Sequence, residues 1–370
     1  MRFARIWGLE IEPVKILQIL PADSKLVESP LPSGRIDGFS PIPSPTAVVI
    51  PTPATVYGRV GKITRPVPSV QIPWGIRTVY NDSTILKTSG GDKVTVAVLD
   101  TGALITHPDL KNRVAKCVDF TNPKLAIVDG KCEDKNGHGT HVAGIVAADG
   151  GADGKGIFGV APETKLFIYK VCNASGTCYA DDIATALRTA AKEGANIVNM
   201  SFGSDLESGL ITDAINFAIS QNVLPIAAAG NDGPYDNSID YPAAKVSVVA
   251  VAALNSNLDV TEWSSRGINS TTEPYVVEEG DIELALPGEN IESTWNNNGY
   301  VILSGTSMAS PFAAGLAAKY WQADATNPAE ATREFLHKLA VDIKPTGDDN
   351  GSGFGLSMVK DETVLNAAVK

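Results

Sequence analysis

The stretch at residues 303–318 constrains the fold more than any other, because it is built from small, mostly apolar residues and carries no charge. A helix that is apolar on every side is stable only when other elements cover every side. The stretch therefore predicts a helix at the centre of a large core. Three hydroxyl residues, Ser304, Thr306 and Ser307, lie where the free N–H groups and the positive dipole end of that helix point. They form either a capping turn or a site where one hydroxyl acts as a nucleophile.

Upstream of this stretch, strand-like and helix-like runs alternate. Residues 94–99 are short, mostly apolar and rich in β-branched side chains, which is typical of a strand buried on both faces. The βαβ alternation predicts an α/β fold, with a mostly parallel sheet and helices on both faces. Asp181 is expected to cap one of the helices. Further strands are predicted at 166–171, 197–200, 224–229, 246–253 and 282–286, and helices at 141–148, 181–193, 210–219 and 328–339.

Residues 1–67 differ from the rest of the chain, since nine prolines occur between positions 30 and 68. Such a segment cannot form a continuous helix or a central strand. We therefore expect an extended or poorly ordered extension at 1–67 and a folded domain at 68–370. Acidic residues and a proline interrupt the apolar start of the chain, so no signal peptide is predicted.

Acidic residues outnumber basic ones, with 42 Asp and Glu against 30 Lys and Arg, and the net charge is −12. Nucleic acids and anionic membranes attract basic surfaces, so the composition argues against both as partners. No run of about 18 apolar residues occurs, and no transmembrane helix is predicted.

The four cysteines fall into two local pairs, Cys117 with Cys132 and Cys172 with Cys178. Three connectivities are possible, and the sequential one closes the shortest loops. We expect two disulfides, which indicate an oxidising compartment or an intracellular protein of a hyperthermophile.

Several polar residues are expected together at one edge of the sheet. Asp100 and Asn231 each follow a buried strand, and sites in such sheets form beyond the carboxyl ends of strands. A buried carboxylate needs a partner. His138, between two glycines at the start of a predicted buried helix, is suited to that position. Held by a carboxylate, a histidine takes the proton of a serine hydroxyl, and an amide N–H stabilises the developing oxyanion.

Three motifs in chain order resemble the active-site motifs of the subtilisin-like serine proteases, the subtilases. They are Asp-Thr-Gly at 100–102, His-Gly-Thr-His-Val-Ala-Gly at 138–144 and Gly-Thr-Ser-Met-Ala-Ser-Pro at 305–311. The sequence Ala-Ala-Gly-Asn at 228–231 lies between the second and third. The resemblance covers roughly residues 70–355 and implies the subtilisin-like three-layer sandwich.

The resemblance implies a serine endopeptidase that hydrolyses proteins or peptides through an acyl-enzyme. Asp100 would be the orienting acid, His138 the general base and Ser307 the nucleophile, while Asn231 and the Ser307 N–H would form the oxyanion hole. Two alternatives stay open: an inactive scaffold of the same fold, and a metallohydrolase that uses His138 with His141. The other histidines are expected to be structural (His107 and His141) or on the surface (His337).

The resemblance also suggests substrate contacts. Ser201, Phe202 and Gly203 resemble the strand edge that pairs with the substrate backbone; the alternative is an ordinary strand end. Asp240 aligns with the base of the pocket for the residue before the scissile bond, where a carboxylate favours Arg or Lys. The alternative is an exposed aspartate in a turn.

Asp109 matches a calcium-binding position of many subtilases, and Asp153 falls in the companion loop, where oxygen ligands on a glycine-rich segment suit Ca²⁺. The family's amide ligand would fall on Val70, with Gln71 one place away. Lys155 lies within the loop, and a plain solvated turn is the alternative.

Secreted subtilases are zymogens with a signal peptide and a folded propeptide. Residues 1–67 resemble neither, so we expect a proline-rich extension or an atypical or truncated prosegment. The resemblance implies an extracellular, monomeric enzyme; an intracellular enzyme of a thermophile is the alternative.

Overall fold

The computed structural model describes residues 15–19, 64–269 and 275–360. Strands in these residues are, in chain order, β1 (Ile16–Ile19), β2 (Thr95–Asp100), β3 (Val114–Asp119), β4 (Val128–Asp129), β5 (Lys165–Lys170), β6 (Thr177–Tyr179), β7 (Ile197–Met200), β8 (Phe202–Gly203), β9 (Leu224–Ala228), β10 (Val249–Leu254), β11 (Leu284–Pro287), β12 (Ile291–Thr294), β13 (Tyr300–Leu303), β14 (Ala340–Val341) and β15 (Leu356–Ser357). The helices are α1 (Trp74–Val79), α2 (His138–Ala147), α3 (Ala180–Lys192), α4 (Gly209–Ser220), α5 (Thr306–Lys319) and α6 (Pro328–Leu339).

An eight-stranded sheet forms the centre of the molecule, in the order β11-β10-β9-β7-β2-β5-β3-β4. Neighbouring strands are parallel except for β4, which runs antiparallel to β3 at the edge. Every residue of β2, β7, β9, β10 and β11 is buried. Helices cover both faces of the sheet, so side chains on both sides of these strands are buried, and this explains why their sequences are apolar without alternation.

Helices α2 and α5 pack together as one layer, and α3 and α4 pack together as the other. Helix α5 is the predicted central helix, and thirteen of its residues are buried. It contacts β7, β9, β10 and β11, so its small side chains let it lie close to the middle of the sheet. The predicted α/β sandwich is therefore confirmed.

After β2 the chain builds the strands on one side of it, β3, β4 and β5. It then crosses to the other side of β2 and adds β7, β9, β10 and β11 in turn. The strand order reverses at β2, and the carboxyl ends of β2, β7 and β9 lie side by side. This reversal is where open α/β sheets place their sites.

The predicted helix 328–339 and strand 197–200 have the observed bounds. Helix α2 begins at His138, three residues earlier than predicted, because its glycine-rich first turn reads as a loop in the sequence. The prediction that Asp181 caps α3 is wrong. The helix begins at Ala180 after extended Tyr179, which places Asp181 inside the first turn.

Two disulfides join Cys117 to Cys132 and Cys172 to Cys178, which confirms the sequential pairing. Within the extension 1–67, residues 16–19 form β1, the middle strand of a separate sheet ordered β6-β1-β8. The remainder of the extension up to residue 63 lies outside the described residues, apart from Lys15. Among the helices that the structure describes, none is both long and apolar enough to cross a membrane.

Candidate functional site

Asp100 and His138 form a buried pair at the carboxyl end of β2. Nδ1 of His138 lies 2.8 Å from Oδ1 and 3.0 Å from Oδ2 of Asp100, and both side chains are almost wholly buried. The backbone N–H of Thr101 also donates to Oδ1 of Asp100, at 2.7 Å. Assigned from these contacts, the neutral imidazole carries its proton on Nδ1, which leaves Nε2 as an acceptor.

Asp134 connects this strand end to the start of α2. Its Oδ1 accepts hydrogen bonds from Thr101 Oγ1 at 2.9 Å and from the N–H of Gly137 at 2.7 Å. Its Oδ2 accepts from the N–H and Oγ1 of Thr140, at 2.9 and 2.6 Å. These bonds satisfy donors that the first helical turn leaves without a helical partner. Asp134 is not among the site residues predicted from the sequence, where its one signal is an acidic side chain four positions before His138.

Gly139 allows α2 to approach the strand end closely. A Cβ atom at this position would lie 2.1 Å from the carbonyl oxygen of Gly102 and 3.0 Å from Cβ of Asp100. Any larger residue would therefore push the helix, and His138 with it, away from Asp100.

Ser307 is the second residue of α5. Its Oγ donates to the carbonyl oxygen of Ser201 at 2.9 Å. Nε2 of His138 is buried and has no hydrogen-bond partner among the described residues, so this structure contains no bond between the hydroxyl and the imidazole. Catalytic hydrogen bonds often form only once a substrate is bound, and the arrangement is compatible with such a step.

Pro311 explains why Ser201 lies against α5. Proline has no N–H, so the carbonyl of Ser307, four residues earlier, lacks its helical donor. Ser201 Oγ donates to this carbonyl at 3.0 Å instead. It also lies 2.9 Å from Ser310 Oγ and accepts from Asn199 Nδ2 at 3.0 Å. The network fixes the end of β7 to the first turn of α5.

Asn231 follows β9 and contacts the first residue of α5. Its Oδ1 accepts from the N–H of Thr306 at 3.0 Å and from Thr306 Oγ1 at 3.2 Å. These donors assign Oδ1 to the side facing Thr306, which turns the amide nitrogen the other way. Thr306, which precedes Ser307, thus orients the Asn231 amide.

A model of the Subtilase family matches residues 91–355, most of the chain. The chain belongs to the subtilase family. It is 46% identical over 309 residues to Subtilisin from Bacillus sp. (strain TA39), which covers 79% of this chain and 73% of that protein. It is 36% identical over 285 residues to Subtilisin Savinase from Lederbergia lenta, covering 77% and 96% of the two chains.

Two solved structures are similar over 79% of this chain and 99% of theirs. They are S41 Psychrophilic Protease, with 47% identity and a TM-score of 0.75, and Sphericase, with 46% and 0.76. These comparisons confirm the predicted family, the subtilisin-like fold and the predicted class of enzyme. The protein is a serine-type endopeptidase, and its substrates are proteins or peptides.

In this subtilase the predicted substrate strand edge is β8, with Ser201 linking it to β7. Strand β8 pairs antiparallel with β1, Gly203 opposite Gln18 and Phe202 opposite Ile19. The other side of β1 pairs antiparallel with β6. Strands β6 and β8 are therefore the two walls of a groove, and the extended residues 16–19 lie between them.

Asp240 lies beneath this groove and is 2% exposed, so the alternative of an exposed turn is wrong. Cβ atoms added to Gly203 and Gly230 would lie 2.7 and 2.9 Å from its Oδ2, so the carboxylate packs directly against both glycines and a larger residue at either position would displace it. Oxygens of Asp205, Asp232 and Asp240 lie within 4.8 Å of one another. Asp205 and Asp232 come from separate loops and are not among the site residues predicted from the sequence.

Asp109 is fully buried, which a plain solvated turn does not explain. Its Oδ2 accepts from the N–H of Ile157 and from Tyr300 Oη, both at 2.8 Å, whereas its Oδ1 is buried and has no hydrogen-bond partner within the described part of the chain. Burial raises the pKa of Asp109 above its ordinary value, although these two hydrogen bonds act to lower it. A buried carboxylate oxygen without a donor is well suited to coordinate a cation.

The companion loop brings further oxygen atoms near Asp109. A Cβ atom on Gly151 would lie 2.8 Å from Oδ1 of Asp109 and 3.5 Å from Oδ1 of Asp153. The side-chain amide of Gln71 donates to the carbonyls of Gly154 and Gly156. Gln71 rather than Val70 is therefore the residue that reaches the loop, one place from the position that the motif indicates.

The two histidines of α2 have different partners. Nε2 of His141 lies 3.0 Å from the carbonyl oxygen of Ile291 and 3.2 Å from that of Val301, whereas His138 is bonded to Asp100. His107 is also buried, with Nε2 3.1 Å from the carbonyl oxygen of Gly299, and burial lowers its pKa.

The prediction that His337 lies on the surface is wrong. Its Nε2 lies 2.5 Å from Oε1 of buried Glu283, and its ring stacks on Phe354 with a centroid distance of 3.9 Å. Its side chain is 19% exposed. The tail around Phe354 covers the face of α6 that carries His337, a face that the sequence predicts to be exposed to solvent.

Proposed function

We propose that this subtilase cleaves peptide bonds through an acyl-enzyme on Ser307. The observation that carries the proposal is the buried Asp100–His138 pair, whose Nε2 is an acceptor without a partner among the described residues. A serine hydroxyl is a weak nucleophile unless a base takes its proton. Ser307 Oγ exchanges its bond to Ser201 for one to His138 when a substrate binds.

Oγ of Ser307 then attacks the substrate carbonyl carbon while its proton passes to Nε2 of His138. Asp100 stabilises the imidazolium and keeps its orientation. The oxyanion receives hydrogen bonds from the Asn231 amide and the Ser307 N–H at the start of α5, where the helix dipole also favours negative charge. Breakdown of this intermediate transfers the proton from Nε2 to the leaving amine, and water hydrolyses the acyl-enzyme by the same steps.

The extended substrate binds as a strand between β6 and β8, and Ser201, Phe202 and Gly203 form one wall. The residue before the scissile bond enters a pocket whose base is Asp240, packed against Gly203, and the carboxylate favours Arg or Lys there. A carboxylate in a confined pocket binds a guanidinium or ammonium group through charge-assisted hydrogen bonds.

Ca²⁺ binds at Asp109 and Asp153 and stabilises the loop rather than taking part in the chemistry. The donor set fits the ion, because the orphaned Oδ1 of Asp109 and the carbonyls of Gly154 and Gly156 are hard oxygen ligands. The carbonyl oxygen of the Gln71 amide becomes a further ligand when the amide turns over.

The enzyme acts as an extracellular monomer without nucleic-acid or membrane partners. Two disulfides favour an oxidising compartment, and one relative is named Minor extracellular protease Epr, from Bacillus subtilis (strain 168). The net charge of −12 disfavours polyanionic partners.

A fluorophosphonate probe tests the proposed nucleophile. We expect covalent label on Ser307, located by peptide mass spectrometry, and none in a Ser307→Ala variant. An inactive scaffold of the same fold would leave the folded wild-type protein unlabelled. Label on another residue would assign the chemistry elsewhere.

A further inference from the structure

A lysine lies at the carboxyl end of the sheet, beside the acid of the buried pair. Lys170 is the last residue of β5, and the four residues before it are apolar and buried. It is in register with Asp100 of β2 on one side and with Asp119 of β3 on the other. Successive side chains of a strand point to opposite faces of the sheet, so residues in register share a face. The side chain of Lys170 therefore projects towards the face on which Asp100 meets His138.

The ammonium group of Lys170 joins two parts of the site. Its Nζ donates to the carbonyl oxygen of Thr101 at 2.6 Å and to that of Cys172 at 3.0 Å. Thr101 follows Asp100 directly and donates its N–H to that carboxylate. Cys172 is joined by a disulfide to Cys178, which lies in the groove wall β6. Lys170 therefore connects the strand end that carries the acid to one wall of the groove.

The Thr101 peptide is held from several directions. Its carbonyl accepts from Lys170, and its side-chain Oγ1 accepts from the N–H of Gly139, in the first turn of α2, at 3.0 Å. The N–H groups of Val171 and Cys172 both donate to the carbonyl oxygen of Asp100, at 2.9 and 3.1 Å. Thr101 is fully buried, and a buried carbonyl that loses a donor costs free energy. The bond from Lys170 thus contributes to the orientation of the peptide that follows the acid.

Lys170 also brings a positive charge into an acidic part of the molecule. Burial lowers the pKa of Lys170, whereas the carboxylates of Asp134, Asp119 and Asp100 act to raise it. The charge of Lys135 acts in the same direction as burial. An ammonium group has three donors and no acceptor, which suits its two bonds to carbonyl oxygens. Lys170 is half-buried, so solvent and salt screen its charge less than that of an exposed lysine.

A positive charge at this place favours the working form of the base. A protonated His138 cannot take the proton of Ser307, and a nearby cation opposes a second positive charge on the imidazole. Without Lys170, the imidazole would face the carboxylates of this edge without that opposing charge. The neutral imidazole therefore persists to lower pH when Lys170 is present.

We propose that Lys170 is a positioning residue of this active site. It holds the Thr101 peptide beside Asp100, and its charge keeps His138 neutral and able to accept a proton as the pH falls. This inference rests on the proposed function, because it takes His138 as the general base and Ser307 as the nucleophile. Strand β5, which supplies Lys170, carries none of the three subtilase motifs.

Lys170→Met tests this role, because methionine keeps a long, unbranched side chain but carries no charge. We expect kcat to fall by about tenfold at the optimum pH, since a small displacement of the acid and base is that costly, with KM nearly unchanged. The acid limb of kcat/KM reports protonation of the base in the free enzyme. This limb should move to higher pH by about half a unit, as expected for the loss of one partly screened charge.

Three further variants divide the role into its parts. Lys170→Arg keeps the charge and should restore the acid limb to its wild-type position. Lys170→Gln keeps a donor for the carbonyls without the charge, so its limb should move as in Lys170→Met, with a smaller loss of kcat. Lys165→Met removes an exposed lysine from the other end of β5 and should match wild type in both measurements. All profiles are measured with one peptide substrate at constant ionic strength.

Fluorophosphonate labelling of each protein separates this inference from the proposed function. If folded wild-type protein is not labelled at Ser307, the proposed function fails. If wild type and Lys170→Met are both labelled but the acid limb of the variant stays at the wild-type position, Lys170 is only a structural support and the inference is refuted. An acid limb that moves equally in Lys170→Arg and Lys170→Met would also refute it, because the charge would then have no role.

Discussion

Oγ1 of Thr101 donates a 2.9 Å hydrogen bond to Oδ1 of Asp134 and so joins the strand end that carries Asp100 to the helix start that carries His138. The same carboxylate holds the N–H groups of Gly137 and Thr140. The distance between Asp100 and His138 therefore depends on a third residue, which bonds to Thr101 and Gly137 beside them.

We expect Asp134→Asn to lower kcat by roughly ten- to a hundredfold, because an amide loses acceptors for the helix start and a displacement of about 1 Å at the base is that costly. KM should change little, since Asp134 does not line the substrate groove. Steady-state kinetics with a peptide substrate measure both. Glu133→Gln is the matched control, because Glu133 has a side chain that is 79% exposed. Equal kinetics for the two variants would show that Asp134 does not position the pair.

Asp240→Ser tests the pocket below Gly203. We expect kcat/KM for peptides with Arg before the scissile bond to fall by about 10²-fold, since an unpaired guanidinium in a confined pocket loses a charge-assisted bond. Peptides with Phe at this position should change little. Asp236→Ser, on the exposed part of the preceding turn, serves as control. A strong preference of the wild-type enzyme for Phe would contradict the proposed specificity.

Calcium should stabilise the wild-type protein by an amount that grows with the logarithm of its free concentration above the Kd, and that reaches about 2.7 kcal/mol at one hundred times the Kd. Asp109→Asn should abolish most of this gain, whereas exposed Asp92→Asn should keep it. Differential scanning calorimetry in a Ser307→Ala background, with Ca²⁺ or a chelator, avoids self-digestion. Equal calcium responses in both variants would place the ion elsewhere.

The calcium effect should also depend on pH in one direction. Burial raises the pKa of Asp109, so without a cation its ionisation destabilises the fold as pH rises from the ordinary range of an aspartate to this raised value. Calcium requires the ionised form and offsets that loss. The increase in Tm on adding Ca²⁺ should therefore be larger at pH 7 than at pH 4, and the reverse order would contradict the assignment.

The sequence predicts best those elements whose own apolar residues show that they are buried. Residues 197–200 are apolar apart from Asn199 and lie in the middle of the sheet, and α5 is covered on all sides as its composition requires. The predicted α/β sandwich follows from such runs. In the site, Asp100 and His138 are brought together because both lie at the edge where the strand order reverses.

The features that sequence analysis missed depend on partners far away in the chain. Strand β1 lies in a region whose prolines dominate the pattern, and its order comes from β6 and β8. Asp134 acts through Thr101, which lies 33 residues away. Gln71 contacts the loop at 150–156 although the motif falls on Val70, because a one-residue offset changes which side chain faces the loop. In each case the neighbouring residues in the sequence give no sign of the contact.

Glu283 is buried between Arg333 and His337 of α6, and this cluster stabilises the C-terminal part of the domain. Burial alone raises the pKa of Glu283, but the charge of Arg333 and hydrogen bonds from His337 and Arg333 lower it from 4.5 to about 2. A lowered pKa in the folded state contributes stability above the unfolded value, and this stability is lost as pH falls from about 5 to 2. The shift corresponds to about 3 kcal/mol at neutral pH.

Glu283→Gln should therefore lower the free energy of unfolding by about 3 kcal/mol at pH 7, since it leaves the charge of Arg333 buried without its partner. The difference from wild type should shrink towards pH 3. Urea unfolding in the Ser307→Ala background measures both values. Glu334→Gln, exposed on the same helix as Arg333, should change stability by less than about 0.5 kcal/mol. A loss for Glu283→Gln that stays constant from pH 7 to 3 would show that packing, not charge, holds this pair together.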